Sequence, residues 1–172
     1  MTRAAPGFCN RSGDYGDMLG ECNCGAVAFE ISAPLTDIYV CHCSICRRST
    51  GANGIAVLVT EKNHLRWLRG EDNIRTWEKP GHDWQTWFCA SCGSTLPGSN
   101  DEATVFIPAG LLNDAGDTLH VAHHIWVDSR AAWDVIGDQG RQHPQGFGTA
   151  GQEPAEAPGP ASHSGSRETG PG

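Results

Sequence analysis

At 172 residues, with 38% apolar residues, 22 glycines and 10 prolines, the chain has room for one small, loop-rich domain and its tails, not for two ordinary domains. Its formal charge of -8 argues against the basic stripes with which proteins track nucleic-acid phosphates, and against docking on anionic membranes. Neither nucleic acid nor membrane is therefore expected as a partner.

Met1 to Gly7 is followed by no apolar h-region, and no window approaches ~18 consecutive apolar residues. A cytoplasmic protein is expected. In that compartment eight cysteines are more readily metal ligands than disulfides.

Residues 1–18 lack periodicity and read as a flexible leader carrying Cys9. Order is expected from Gly20. Val27, Phe29 and Ile31 alternate along a strand, and Asp37 to Val40 forms a short strand leading into Cys41-His42-Cys43-Ser44-Ile45-Cys46-Arg47-Arg48,. Ser49 to Gly54 reads as a loop, and the apolar run Ile55 to Val59 as a buried central strand,. Leu65 to Leu68 and Asn73 to Trp77, separated by Gly70-Glu71-Asp72, suggest a hairpin,. Trp84 to Phe88 runs into Cys89-Ala90-Ser91-Cys92-Gly93, a hairpin tip shaped as a metal knuckle, and Thr104 to Ile107 is a further strand. Leu111 to Asp114 resembles a turn, His120 to Val127 a last strand, and Ser129 to Trp133 a helical turn with Ser129 as N-cap,. From about Gly140 the composition shifts to Gly, Pro, Ala, Ser and Glu, as in a disordered tail. The expected organisation is a leader over 1–18, a mainly β domain over 19–139 with short helical turns only, and a tail over 140–172. Without a helix long enough for a crossover, antiparallel pairing is expected to dominate.

The thiols carry the chemistry. Cys89-x-x-Cys92-Gly93 lets a tight turn aim two sulfurs at one metal, and Cys22-x-Cys24-Gly25 does a similar job,. Together they supply the four thiolates of a closed, structural zinc, joining segments far apart in sequence. Cys41-x-Cys43-x-x-Cys46 offers three sulfurs from one stretch, so a second zinc there keeps a place for water or substrate. Cys9, His42, or one of His120, His123 and His124 are the candidates to close it. His123 and His124, being neighbours on a strand, face opposite sides.

Zinc with three thiolates is near -1 in net charge, a weaker Lewis acid than zinc on three imidazoles. It is better suited to binding and presenting an incoming thiol than to hydrolysis. Arg47 and Arg48 follow directly and are candidates to hold a substrate carboxylate,. Ser49, Thr50 and Asn53 are candidate lining residues of the same pocket.

Gly20-x-Cys22-x-Cys24-Gly25, Cys41-His42-Cys43-x-x-Cys46-Arg47 and Phe88-Cys89-x-x-Cys92-Gly93 resemble the glutathione-dependent formaldehyde-activating enzyme family, which also includes centromere protein V. The downstream His124-Ile125-Trp126-Val127-x-Ser129-Arg130-Ala131-x-Trp133 is similar to that family's C-terminal signature, and the likeness spans about Leu19 to Ile136. The resemblance implies β-tent-like antiparallel sheets with two Zn2+ per chain, structural at Cys22, Cys24, Cys89 and Cys92 and catalytic at Cys41, Cys43 and Cys46. It implies a carbon–sulfur lyase of the S-(hydroxymethyl)glutathione synthase type, in which glutathione or a similar small thiol adds to formaldehyde or a related electrophile. A zinc-stabilised protein-binding module without catalysis is the competing expectation.

Overall fold

Residues 17–113 and 118–147 are described in a computed structural model of the protein. Among them the strands are β1 Met18–Glu21, β2 Ala28–Ile31, β3 Asp37–Cys41, β4 Ile55–Glu61, β5 Leu65–Arg69, β6 Ile74–Glu78, β7 Gln85–Cys89, β8 Gly98–Ser99, β9 Thr104–Pro108, β10 Leu112–Asn113, β11 His120–Ile125 and β12 Arg141–Gln142. One helix, α1 Ser44–Thr50, follows β3. The protein is mainly β, as its sequence suggests. No helix among the described residues is long and apolar enough to cross a membrane.

Three sheets form, in the strand orders β10-β1-β2-β5, β12-β11-β3-β4-β9-β8 and β6-β7. The alternation in β2 turns Phe29 and Ile31 into one face, where they pack with Val105 and Ile107 of β9, so the first sheet closes on the second. Trp67 meets the Phe29 ring edge-to-face at 5.8 Å. β1 passes so close to that ring that a Cβ on Gly20 would stand 2.3 Å from Phe29 Cζ, leaving room for glycine alone. A second core cluster joins Cys22, Val27, Cys89 and Leu96, placing one cysteine of each outer pair inside the hydrophobic core.

Several local readings change. The hairpin across Gly70 does not form: β5 pairs with β2 and β6 with β7. Gly70, at φ 71°, leads into a 3-10 turn, and a Cβ there would lie 2.1 Å from the Ala26 carbonyl oxygen. The turn is tucked under the Cys22–Ala26 loop, so the chain leaves one sheet for another. Pairing is not wholly antiparallel either, since β11 runs parallel to both β3 and β12. β11 reaches β12 through residues 126–140, which hold a short 3-10 turn, whereas β3 and β11 meet from distant parts of the chain, with α1 and β4 to β10 between them. β4 is central, between β3 and β9, but only half buried: Leu58 and Thr60 face the core while Ile55 and Val57 line a cavity.

Ser44 to Thr50, expected within loops, is the helix α1. The expected cap at Ser129 is displaced: Val127–Ser129 is the helical turn, Trp126 stands before it at φ 59°, and Ser129 is its last residue. Met18 already belongs to β1 and Arg141–Gln142 to β12, so strand structure extends past both expected edges of the domain. The rest of the leader, with Cys9, and the segment from 148 lie outside the described residues.

Candidate metal centres and substrate cleft

The two glycine knuckles form as their spacing suggests. Gly25 (φ 72°) and Gly93 (φ 75°) adopt left-handed conformations, and their N–H groups donate to the carbonyls of Cys22 and Cys89, both at 2.8 Å. The turns bring Cys22, Cys24, Cys89 and Cys92 together, with every Sγ within 4.8 Å of the others. Cys22 and Cys24 sulfurs stand 3.5 Å apart, and Cys24 and Cys89 sulfurs 3.9 Å. These distances bracket the edge of a tetrahedron with Zn–S bonds near 2.3 Å, about 3.8 Å.

Hydrogen-bond donors point at the sulfurs: Val27 N–H at Cys22 (3.3 Å), Asn73 Nδ2 at Cys89 (3.4 Å) and the Ser94 hydroxyl beside Cys92 (3.3 Å). The Ser94 hydroxyl, followed by its N–H, pulls the Cys92 thiol down to about 6. At Cys24 the Ala26 N–H favours the thiolate, but the Cys92 and Cys22 sulfurs outweigh it and push that thiol up to about 12. The donor set fits a thiophilic cation that replaces the shared protons.

The second cluster is built by β3 and α1. β3 pairs with β11 and ends at Cys41, and the His42 N–H donates to Ile125 O (3.0 Å). Cys43 then caps the helix, its Sγ accepting from Cys46 N–H at 3.4 Å. A thiolate in that capping place satisfies a backbone donor that has no partner within the helix. Cys41, Cys43 and Cys46 bring their sulfurs within 4.8 Å of one another. The Cys41 and then the Cys46 thiol donate toward Cys43, holding it down at about 2, while Cys41 is pushed up to about 11, chiefly by Cys43. Cys46 is driven up more strongly by the same two neighbours. One thiolate is thus favoured in the bare trio, and ionising all three sulfurs calls for a cation.

Cys41 and Cys46 line a cavity of about 690 Å³ together with Ser49, Ile55, Val57, Trp84 and Trp87. Ser49 therefore faces the expected pocket. Thr50 and Asn53 do not: the Thr50 hydroxyl donates to Cys46 O and Gly54 O, and the Asn53 amide to Asp134. Arg47 turns away as well, donating from Nη2 to Ser129 O (3.1 Å), with its buried Nε unpaired among the described residues. Arg48 lines an adjoining cleft of about 300 Å³ that shares Ser49, Trp84, Thr86 and Thr95 with the cavity.

None of the described histidines joins either thiol set. His42, 1% exposed, follows the last residue of β3, and its ring is bonded away from the thiols. Its Nδ1 lies 2.7 Å from Asp134 Oδ2, and its Nε2 2.9 Å from His124 Nδ1. His124 Nε2 in turn lies 2.8 Å from Asp138 Oδ1. Satisfying all three contacts takes three N–H protons on two rings. Asp134 is held below the usual carboxylate range: burial opposes ionisation, but bonds from Asn53 and His42 outweigh it. His123, on the other face, stacks on Tyr39 (5.2 Å) and contacts His143 Nε2 (3.1 Å). His120 is exposed, 3.6 Å from Asp37. Asp134, Asp138 and Asn73 escaped the sequence reading because each meets its partner only through the fold.

A Halomonas elongata protein that carries the glutathione-dependent formaldehyde-activating enzyme name is 29% identical over 85 residues, 45% of this chain and 52% of that protein. The chain thus spans about half the length of that curated relative. The crystal structure of a Rhodobacter sphaeroides protein, 25% identical, covers 58% of this chain and 92% of its own, with a TM-score of 0.48. The family model for glutathione-dependent formaldehyde-activating enzymes matches residues 17–129, and the chain belongs to that family.

Proposed function

We propose that the protein is a zinc-dependent carbon–sulfur lyase that joins a small thiol, glutathione or a close analogue, to formaldehyde or a related small electrophile. The observation that carries this reading is the contrast between the two thiol sets. Four sulfurs complete one coordination shell, whereas the second set has three, two of which line a cavity of about 690 Å³. In this reading Cys22, Cys24, Cys89 and Cys92 hold a structural zinc, and Cys41, Cys43 and Cys46 hold a catalytic one. The setting that goes with it is the reducing cytosol, where thiols stay free to bind metal.

When bound, zinc would lower the pKa of an incoming thiol and fix its sulfur at the cavity wall. The chain's own residues do the rest. Ile55, Val57 and Phe106 give the cavity an apolar wall, which holds water back from the sulfur. Ser49 presents a hydroxyl to the same space, suited to the carbonyl oxygen of the electrophile. The substrate sulfur forms a bond to the carbonyl carbon and the C=O π pair moves to oxygen. That oxygen then takes up one proton, balancing the one lost by the thiol. The product is a hemithioacetal, and the step needs no oxidant.

Cys43→Ser tests the assignment. The variant is expected to keep its fold and the four-sulfur metal, lose one metal equivalent, and lose thiol–aldehyde condensation measured by NMR. A folded Cys43→Ser protein with two metals and full activity would overturn it. Two tightly held metals with no condensation by the native protein would favour the binding module.

A further inference from the structure

Basic residues are scarce in this acidic chain, 12 against 20 acidic, and many of the described ones are engaged. Arg66 pairs with Glu30 and Arg69 with Glu21, Arg75 is bonded to backbone carbonyls, and Arg47 is tied to Ser129. Arg48 and Lys79 differ. Neither forms an ion pair or a side-chain hydrogen bond among the described residues, yet both line the 300 Å³ cleft beside the thiol trio, and no acidic residue shares that lining. Two unneutralised cations directed to one cleft repel each other, and an anion between them relieves that repulsion. Aromatic walls from Trp77 and Trp84, whose rings meet at 6.1 Å, reduce screening by water.

The larger cavity has the opposite polarity. Its charged lining residues are Asp83, Asp101 and Glu102 against Lys62 alone. Lys62 donates its ammonium to Glu102 O at 2.7 Å. Asp101 is saturated by its own turn, accepting from Ala103 N–H, Thr104 N–H and the Thr104 hydroxyl. The Asp83 and Glu102 carboxylates have no hydrogen-bond partner among the described residues.

We propose that this charge-segregated cleft sets which thiols the enzyme accepts and which way round they lie: Arg48 and Lys79 receive a carboxylate, and Asp83 and Glu102 receive an ammonium. The proposal rests on the thiol-transfer reading above and adds specificity-determining residues to it. The matching substrates are amino-acid or peptide thiols charged oppositely at their two ends. Neutral thiols gain nothing here, and polyanionic ones are repelled by the acidic end. The cleft lined by Arg48 opens onto the cavity lined by Cys46, the two sharing Ser49, Trp84, Thr86 and Thr95. A thiol with its sulfur at Cys46 can therefore extend its carboxylate through that shared opening toward the guanidinium. Arg48, and not Arg47, is the arginine that serves the substrate.

The test uses full-length, metal-loaded protein and two thioether probes, which report charge recognition without thiol ionisation. S-methylglutathione and its glycine-carboxamide are titrated calorimetrically. Native protein is expected to bind the acid about tenfold more tightly than the amide, the effect of one charge-assisted contact. Lys79→Gln should shrink that preference to about threefold or less and leave amide binding unchanged, which also shows that the cleft is intact. Asp83→Asn should weaken both probes severalfold and leave binding of their N-acetylated forms unaltered. Equal binding of acid and amide by the native protein, no binding of either, or a preference that survives both Lys79→Gln and Arg48→Gln would overturn the proposal. Condensation activity in the same preparation judges the reaction separately: active protein without charge preference loses only the subsites, and selective but inactive protein loses only the reaction.

Discussion

Asp134 is expected to be the polar residue on which the stretch from Cys41 to Cys46 depends most. Its side chain is 4% exposed and accepts from His42 Nδ1 at 2.7 Å and from the Asn53 amide at 3.0 Å. In Asp134→Ala, exposed Asn53 turns to water at little cost. His42, 1% exposed, cannot. A lost hydrogen bond to a charged group and a stranded buried donor together put the cost at about 3 kcal/mol, the lower end of the range for broken buried pairs. That is a large share of the roughly 5–15 kcal/mol by which domains are stable. Asp134→Asn keeps an acceptor for His42 and should cost about half as much. Urea unfolding of metal-loaded protein, followed by tryptophan fluorescence, measures both. Because His42 is flanked by Cys41 and Cys43, a second readout follows: chelator competition should find the three-sulfur metal weakened by about 10-fold or more, the loss expected when a residue that supports the ligands is removed, with the four-sulfur metal unchanged. Equal weakening of both metals, or Asp134→Ala within about 0.5 kcal/mol of native, would refute the reasoning.

Three further outcomes follow from the packing and charges. In Gly98→Ala the new Cβ would stand 1.9 Å from Trp87 Cε3, so overpacking should destabilise the protein by about 2 kcal/mol and shift the cavity wall; an unchanged urea midpoint would contradict this. Removing the metals frees chain segments bridged by Cys24 and Cys89, 65 residues apart. The released loop entropy alone is worth about 4 kcal/mol, so metal-free and metal-loaded protein should not share a urea midpoint. Asp101 is held below its ordinary 3.8 by the Thr104 hydroxyl first and then by the Thr104 and Ala103 N–H groups. A carboxylate with a depressed folded pKa stabilises above the unfolded value and stops doing so as pH falls through the folded one. The Ala103 and Thr104 amide resonances should therefore titrate with a midpoint below 3.8, and one at or above that value would refute the assignment.

What the sequence reveals depends on how far apart the interacting residues lie. The alternation of Phe29 and Ile31 and the glycine after each outer thiol pair are local signals and form as expected, whereas Val27 falls just before β2 and packs in the other core cluster. Alternation also separates His123 from His124, one stacking on Tyr39 and the other meeting His42. Helix α1 was hidden because its cap is a cysteine rather than Ser, Thr, Asp or Asn, and seven residues show no apolar stripe,. The partners of β5 and β6 depend on the chain switching sheets at Gly70, which a turn signal does not encode. Asp134 meets His42 across 92 residues, and no spacing announces it. The two adjacent arginines look equivalent in sequence. Only the fold separates them: Arg47 reaches Ser129 O, whereas Arg48 lines the cleft.

The tryptophans make the cleft its own optical probe. Trp84 borders both the cavity and the adjoining cleft, Trp77 the cleft and Trp87 the cavity, while Trp133 is 69% exposed and supplies a steady background. Indole emission follows local polarity, so a guest that displaces water from these three rings should shift the intrinsic spectrum to the blue without any label. Occupancy can thus be followed in real time and separately from turnover, with Trp84→Phe identifying the ring that reports it.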